Sequence, residues 1–87
     1  MICNINKLRD IILSVSSRRN VNDLKFDDDL FASRVLDSIS VVQLIITLEE
    51  KFRIKFQFAD VSRNSFATIN LIAQLLESRY KVKIENK

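Results

Sequence analysis

The apolar residues of this chain form three groups in which neighbours lie three or four residues apart, the spacing of an amphipathic helix. The first group predicts a helix over about Asn4 to Ser16, with an inner face of Ile5, Leu8, Ile12 and Val15. The second predicts a helix that ends at Phe52, with a core face of Val41, Leu44, Ile45, Leu48 and Phe52. The third predicts a helix that Thr68 caps, with an inner face of Ile69, Ile72, Ala73 and Leu76.

A long connection precedes the second helix. From Val21 to Leu36 the chain is polar with spaced apolar residues, which predicts an ordered loop that packs along the helices. Three aspartates at positions 27–29 precede Leu30 in this loop and predict a capped single turn. The apolar residues expected to pack are Leu24, Phe26, Leu30, Phe31 and Val35.

The connection after the second helix has a different pattern. Ile54, Phe56 and Phe58 alternate with polar residues, a period of two that is typical of extended chain. No further strand pattern accompanies it, so we expect an extended link that buries these three side chains. A short helix near residues 60–64 is expected to follow, which gives four helical segments in all.

The composition is that of one folded domain without glycine turns. The 87 residues leave room for a single core, and 47% hydrophobic with 29% charged residues is ordinary for a globular protein. Because Gly and Pro are both absent, Ser, Asn and Asp must form the turns, which favours helices over a sheet with tight hairpins. We expect one all-α domain over residues 1–87, with a core over about 4–78 and a basic tail at 79–87 that frays.

The side chains that most enzymes use are missing. The chain has no His, a single Cys, no Gly-rich phosphate loop and no serine-hydrolase motif, so we expect neither catalysis nor a bound metal. The aspartates at 27–29 lack the spacing of a calcium loop and indicate a solvated turn, and Cys3 cannot form an internal disulfide. No signal-peptide core and no run of 18 apolar residues occurs, which predicts a cytoplasmic protein that does not span a membrane.

The start of the second helix is the candidate functional site. Asp37 and Ser38 are residue types that cap helix N-termini and suit the positive end of the helix dipole. Ile39, Val42 and Ile46 are not needed for the core face. Val42 and Ile46 lie four and eight residues beyond Ser38, on its side of the helix. A serine beside an exposed aliphatic track favours a place where another protein docks and modifies the serine; the alternative is that Ser38 only caps the helix.

Three short motifs carry a family resemblance. Asp37-Ser38-Ile39, followed by Val42-Gln43-Leu44, is similar to the DSL motif of the acyl carrier proteins and of their relatives, the peptidyl and D-alanyl carrier proteins. LEEKFRI, from Leu48 to Ile54, resembles the LEEEFxI end of the family's second helix, and SFATI at residues 65–69 resembles the entry into its last helix. The resemblance covers nearly the whole chain, and the matched spacing of the three motifs carries more weight than DSL alone.

The resemblance implies a four-helix bundle of the acyl-carrier type, with a long ordered loop between helices 1 and 2 and a short third helix. It implies that Ser38 receives a 4'-phosphopantetheine arm from coenzyme A through a magnesium-dependent phosphopantetheinyl transferase. The arm's thiol would hold an acyl or aminoacyl cargo as a thioester, and the domain itself would catalyse nothing. Asp37 would help to place the metal and the phosphate in the transferase complex.

Further partners are implied by the same resemblance. They are an acyl- or aminoacyl-activating ligase and acceptor enzymes of lipid or secondary-metabolite biosynthesis, and the carrier would be a monomer. The cargo stays open between fatty acyl, polyketide, amino acid and D-alanine.

The chain departs from the fatty-acid carriers in its charge. It has a net charge of +3, and residues that are commonly acidic in those carriers are replaced by Ser40, Gln43, Lys51 and Arg53. Electrostatic steering towards basic enzymes should therefore be weak. We expect docking to depend mostly on aliphatic burial at Val42 and Ile46, and the other candidate docking residues are Ile39, Glu49 and Glu50.

The run from Leu30 to Ser38 looks more like the stand-alone D-alanyl carriers than the fatty-acid ones. Arg34 stands where those carriers often have Gly, so a left-handed backbone at this position is an open question.

A second class of function stays open, a non-catalytic helical interaction module whose basic surface binds nucleic acid or another anionic partner. The basic residues support it weakly, because Arg18-Arg19 and the lysines at 81 and 83 are interleaved with other residues and form no single run. We therefore expect no nucleic-acid partner.

Overall fold

The computed structural model describes residues 2–16 and 23–86. Within them lie three α-helices, α1 (Ile5–Val15), α2 (Ser38–Phe52) and α3 (Ile69–Tyr80), and one 3-10 turn at Phe58–Asp60. The three helices that the hydrophobic spacing predicts are thus confirmed. None of the described helices is long and apolar enough to cross a membrane.

Polar side chains set the start of each helix. Asn4 Oδ1 accepts a hydrogen bond from the Asn6 N–H at 2.8 Å, and Thr68 Oγ1 accepts one from the Leu71 N–H at 3.0 Å. Asp37 caps α2 in the same way. These bonds satisfy N–H groups that have no carbonyl partner inside the helix, which is why the predicted starts agree with the observed ones.

The core lies between the three helices and includes the loop before α2. The predicted inner faces are confirmed, since all their members are buried except Val15, Val41 and Ile45, which are half-buried. In the described part of the loop, Leu24, Leu30 and Val35 are buried, while Phe26 and Phe31 are half-buried against the core. Val21 lies outside the described residues. The described part of the loop, from residue 23 onwards, therefore contributes apolar side chains to the core.

The predicted turn at the aspartates is confirmed as well. Asp29 Oδ1 accepts hydrogen bonds from the N–H groups of Phe31 and Ala32, each at 2.9 Å. The Ala32 N–H is the main reason that the pKa of the Asp29 carboxyl is lowered from its usual value. No group of three or more potential metal ligands occurs anywhere in residues 2–16 and 23–86.

The expected helix near residues 60–64 is wrong. The 3-10 turn ends at Asp60, and a serine-bonded turn follows in which the N–H groups of Ser62 and Ser65 each donate to the other residue's Oγ at 3.1 Å. The Ser65 hydroxyl also donates to the Asp60 carbonyl at 2.7 Å. These hydroxyls pair with backbone groups that a helix would use itself, so regular helix does not form. Within the described residues the fold therefore has three α-helices and a 3-10 turn.

The link before that turn buries fewer side chains than its alternation predicts. Phe56 is buried and Ile54 is half-buried, but Phe58 is 96% exposed. The backbone enters the 3-10 turn at Phe58, which ends the period of two and turns this side chain outwards.

The ends of the chain form a short parallel sheet that was not expected. Strand β1 (Ile2–Asn4) pairs with strand β2 (Lys83–Glu85), and Cys3 lies opposite Ile84. Val82 and Ile84 are buried, and burial is also the main reason that the pKa of the Cys3 thiol is raised. The expected fraying of residues 79–87 is therefore wrong for residues 79–86, because alternate apolar side chains of this segment belong to the core.

Candidate functional site

Asp37 closes the N-terminus of α2 with a capping box. Its Oδ1 accepts hydrogen bonds from the N–H of Ile39 at 3.1 Å, the N–H of Ser40 at 2.8 Å and the Ser40 hydroxyl at 2.7 Å. The Asp37 N–H donates in turn to Ser40 Oγ at 2.9 Å. Ser40 is buried and serves here in place of the Glu or Gln usual at this position of a capping box. Of the two caps that the sequence suggested, Asp37 is the cap.

Ser38 is the first residue of α2 and is exposed. In the described part of the chain its hydroxyl forms no hydrogen bond, so it is not engaged in the structure as a cap would be. The helix behind it is fixed by the Asp37 cap and by the burial of Leu44 and Leu48. The site therefore presents an accessible hydroxyl on a rigid element, beside the positive end of a helix dipole.

The aliphatic track that the sequence predicts is exposed. Ile39 is 71%, Val42 is 52% and Ile46 is 51% exposed, and their spacing puts them along one side of α2 from Ser38. The opposite side of the helix faces the core. Three exposed aliphatic residues along one helix, next to an accessible hydroxyl, form a surface that a partner protein could cover.

The two glutamates near the end of α2 differ in their surroundings. Glu50 is exposed, whereas Glu49 is half-buried and its Oε2 accepts a hydrogen bond from the Phe56 N–H at 2.9 Å. Glu49 thereby fixes the link that follows α2. This structural role could not be predicted from the sequence, because the bond joins residues seven positions apart across a turn.

A groove of about 1260 Å³ opens beside Ser38. The loop before α2 and the turn after residue 60 form its walls, and its apolar lining includes Phe31, Leu36, Val41 and Val61. Asp37 and two arginines, Arg34 and Arg63, line the same groove. The arginines are site residues that the sequence did not indicate, because the fold brings them together from loops far apart in the chain.

The sequence left open whether the backbone is left-handed at Arg34. It is left-handed, with φ 65°, and the Arg34 N–H donates to the Phe31 carbonyl at 3.1 Å. The Leu36 N–H donates a hydrogen bond to the Leu30 carbonyl at 2.9 Å, and this bond closes the turn just before α2. A left-handed residue is thus needed for the chain to reach the cap, although Arg has a Cβ that disfavours it.

Comparison with known proteins places these features in a family context. The model of the family described as "Phosphopantetheine attachment site" matches residues 6–76. The D-alanyl carrier protein of Streptococcus uberis is 42% identical over 55 residues, which is 63% of this chain and 68% of that protein. The D-alanyl carrier protein of Leuconostoc citreum is 36% identical over 67 residues, 77% of this chain and 85% of that protein.

Two solved structures share the fold. One is from a complex of an engineered Bradyrhizobium japonicum glycine:[carrier protein] ligase with a carrier protein from Agrobacterium tumefaciens and AMP; the TM-score is 0.74 at 30% identity, covering 84% of this chain and 97% of that one. The other is a holo acyl carrier protein from Nitrosomonas europaea, with a TM-score of 0.69 at 26% identity, covering 88% of this chain and 95% of that one.

Proposed function

Because the chain belongs to the phosphopantetheine attachment-site family of acyl and aminoacyl carrier proteins, we propose that Ser38 is the residue that bears the arm. The observation that carries this assignment is the exposed Ser38 hydroxyl, unbonded within the described residues, at the first position of a capped helix. The site fits the group, since an open groove begins beside this hydroxyl. When bound, 4'-phosphopantetheine supplies the thiol that carries cargo as a thioester.

We propose that this chain supplies the nucleophile and that the transferase supplies the base. In attachment, Ser38 Oγ loses its proton and forms a bond to phosphorus, while the pyrophosphate bond of coenzyme A breaks and its nucleotide half leaves. The chain contains no His, and the Asp37 Oδ1 is occupied by the capping bonds. Asp37 is held beside Ser38 in the groove, a position that suits a role in placing the transferase's metal ion.

The proposed partners follow from the relatives and from the exposed track. The similar solved carrier from Agrobacterium is in a complex with an engineered glycine:[carrier protein] ligase, and the two relatives above are D-alanyl carrier proteins. We propose an aminoacyl-activating ligase as the loading partner, an acceptor enzyme downstream, and a monomeric carrier in the cytoplasm. Ile39, Val42 and Ile46 would form the docking surface for the transferase and the ligase.

Intact mass spectrometry tests the attachment site. The chain is incubated with coenzyme A and a broad-specificity phosphopantetheinyl transferase, alongside Ser38→Ala and the groove serine variant Ser33→Ala. We expect the parent and Ser33→Ala to gain the mass of one arm and Ser38→Ala to gain none while keeping its helical circular dichroism. A mass gain on Ser38→Ala, or none on the parent, would contradict the assignment; the latter is what the interaction-module alternative predicts.

The cargo class is tested on the arm-bearing chain. It is offered glycine, D-alanine and a fatty acid, each with ATP and a matching ligase, and the mass of the thioester is read directly. We expect an aminoacyl group to be accepted. Loading by the fatty-acyl ligase alone would contradict the aminoacyl assignment without affecting the attachment site.

A further inference from the structure

The groove beside Ser38 contains two cationic side chains that the carrier role has not used. Arg34 and Arg63 line it together with Ser38 and Asp37. In the described part of the chain Arg34 forms no ion pair, and the Arg63 guanidinium lies over the Phe31 ring, with its carbon 4.8 Å from the ring centroid. Two positive charges therefore border the groove. Two carboxylates lie near them: Asp37 lines the groove, and Asp29 lies close enough to Arg63 for the guanidinium charge to contribute to its lowered pKa.

Arg34 is left-handed although it is not a glycine. A left-handed residue at φ 65° is most easily a glycine, because glycine has no Cβ to clash with the carbonyl that follows. An arginine at such a position lowers the free energy of unfolding, because its Cβ disfavours the left-handed conformation. Arg53 and Lys81 are left-handed as well, so it is the place of the Arg34 side chain in the lining of the groove, not its backbone, that carries the inference.

We propose that Arg34 and Arg63 form an anion site that binds the phosphodiester joining the arm to Ser38, so that the arm rests along the groove. This rests on the proposed attachment at Ser38. The phosphodiester carries a permanent negative charge, and guanidinium groups are always charged and match phosphate oxygens with paired N–H donors. Stacking over Phe31 orients Arg63 without using its in-plane donors.

The rest of the groove suits the remainder of the arm. Beyond the arginines the lining is largely apolar, with Leu36, Val41 and Val61, which can cover the hydrocarbon part of pantetheine. An arm held in this way would leave the groove when a partner supplies competing contacts. Raised salt should release it too, because the guanidinium contacts at an open groove are screened.

The test is ³¹P NMR of the arm-bearing chain between about 0.02 and 0.5 M salt, after intact mass has verified attachment. In the parent the phosphodiester signal should move with salt. Arg34→Gln and Arg63→Gln should each reduce this movement about twofold, because each removes one of two similar charges, and the double variant should abolish it. Arg34→Lys should restore part of it, since the charge is retained.

Arg53→Gln is the matched control. Arg53 is also left-handed, with φ 54°, but it caps the C-terminus of α2, about 20 Å from Ser38 along a fifteen-residue helix. This variant loses the same charge at the same kind of backbone position, so its phosphorus signal should behave as in the parent. If Arg53→Gln reduced the salt-dependent movement of the phosphorus signal as much as Arg34→Gln does, the effect would depend only on net charge. That result would overturn the anion site.

Three further outcomes are decisive. A normal mass gain with a salt response that is unchanged in the double variant would overturn the anion site and leave the attachment at Ser38 intact. No mass gain on the parent would overturn both. Amide signals of Val41 and Val61 should shift on attachment in the parent and return in the double variant; unshifted amides in the parent would show a free arm and overturn the proposal.

Discussion

At the level of single residues, Asp37 caps α2 and its neighbour Ser38 presents an exposed hydroxyl. The Asp37 Oδ1 accepts all three of the capping bonds described above, whereas the Ser38 hydroxyl takes part in none of them. A residue that carries a covalent group on its hydroxyl cannot also depend on that hydroxyl for helix stability. The separation would let the proposed arm be attached to Ser38 without weakening the start of α2.

This division predicts opposite effects for two alanine variants. Asp37→Ala should lower the free energy of unfolding by about 1 kcal/mol or more, because it leaves the N–H groups of Ile39 and Ser40 without their side-chain acceptor. Ser38→Ala should change it by no more than about 0.5 kcal/mol, as is usual at an exposed surface position. Urea unfolding of both variants measures this, and an equal loss in Ser38→Ala would mean that Ser38 shares the cap.

Asp37 and Ser38 could be predicted as site residues from the local sequence pattern. No local pattern indicated that the two arginines line the groove. A polar pair before an amphipathic run is a helix-start pattern, and the leftover aliphatic residues follow from the same helical period. Arg34 and Arg63 belong to different loops that meet only in the folded chain, so no sequence period relates them. The groove forms only where the loop before α2 meets the turn after residue 60, so its lining could not be predicted from the sequence.

At the scale of elements, α2 has two apolar sides with different purposes. Leu44 and Leu48 are fully buried, while Val42 and Ile46 are about half exposed on the outer side. Burial on one side holds the helix in place, which allows the other side to present a fixed aliphatic surface. That surface offers a partner apolar contact close to the proposed attachment site.

We expect Val42→Asp to slow arm attachment by about tenfold or more, because an unpaired carboxylate buried at the interface costs roughly 1 to 3 kcal/mol. The fold should survive, since Val42 is 52% exposed. Initial rates of mass gain measure the effect. Gln74→Asp is the control, because it adds the same charge at an exposed position on α3, outside the aliphatic track.

Electrostatic docking predicts a different result in the same assay. If acidic residues steer the transferase, the parent rate should fall steeply between low and physiological salt and Glu50→Lys should be slow. Glu49→Lys cannot serve for this comparison, because Glu49 holds the Phe56 N–H. A steep salt dependence together with an unaffected Val42→Asp would reject aliphatic docking.

The short helix expected near residues 60–64 is where the prediction of elements was wrong. The polar run at 60–65 contains Asp, Ser and Asn, which were interpreted as the start of a short helix. Such side chains can pair with backbone groups in turns as well as cap helices, and the competition between Ser62 and Ser65 decided for the turn. Propensity alone does not resolve this choice.

At the scale of the whole molecule, the terminal strands join the two ends of the chain across the core. The Val82 N–H donates to the Leu76 carbonyl at 3.1 Å, and the Ile84 N–H donates to Glu77 Oε2 at 3.1 Å. The alternation of Val82 and Ile84 with charged residues was a strand signal in the sequence. A basic composition and a terminal position suggested a frayed tail instead, because pairing with β1 is a contact over some eighty residues that no local pattern encodes.

The segment should therefore contribute to global stability. Ile84→Ala is expected to lower the free energy of unfolding by about 2 kcal/mol, the lower part of the range for buried isoleucines, because Ile84 lies at the edge of the core. The exposed neighbour Lys83 provides the control, and Lys83→Ala should be nearly neutral. Chemical denaturation with equal losses, or with no loss in either variant, would contradict the place of β2 in the core.

A second long-range contact ties the end of α3 to the link after α2. The Tyr80 hydroxyl donates to Asp60 Oδ2 at 2.6 Å and accepts from the Gln57 N–H at 2.8 Å, and Arg79 lies 3.4 Å from the other Asp60 oxygen. The Tyr80 ring also meets Phe56 edge-on, with centroids 4.9 Å apart. This cluster fixes the 3-10 turn that leads into the groove.

The cluster should make stability depend on alkaline pH. Burial, and then the hydrogen bond to Asp60, raise the pKa of Tyr80 above its usual 10.0. The unfolded chain therefore releases this proton first, so the contribution of Tyr80 is present in full below about pH 10 and is lost as the pH rises through the folded pKa. The difference in unfolding free energy between the parent and Tyr80→Phe should accordingly be constant near neutrality and shrink above pH 10. Tyr80 is the only tyrosine, so phenolate absorbance reports its titration alone. A titration midpoint of the folded chain at or below that of the unfolded chain would contradict a half-buried, hydrogen-bonded phenol.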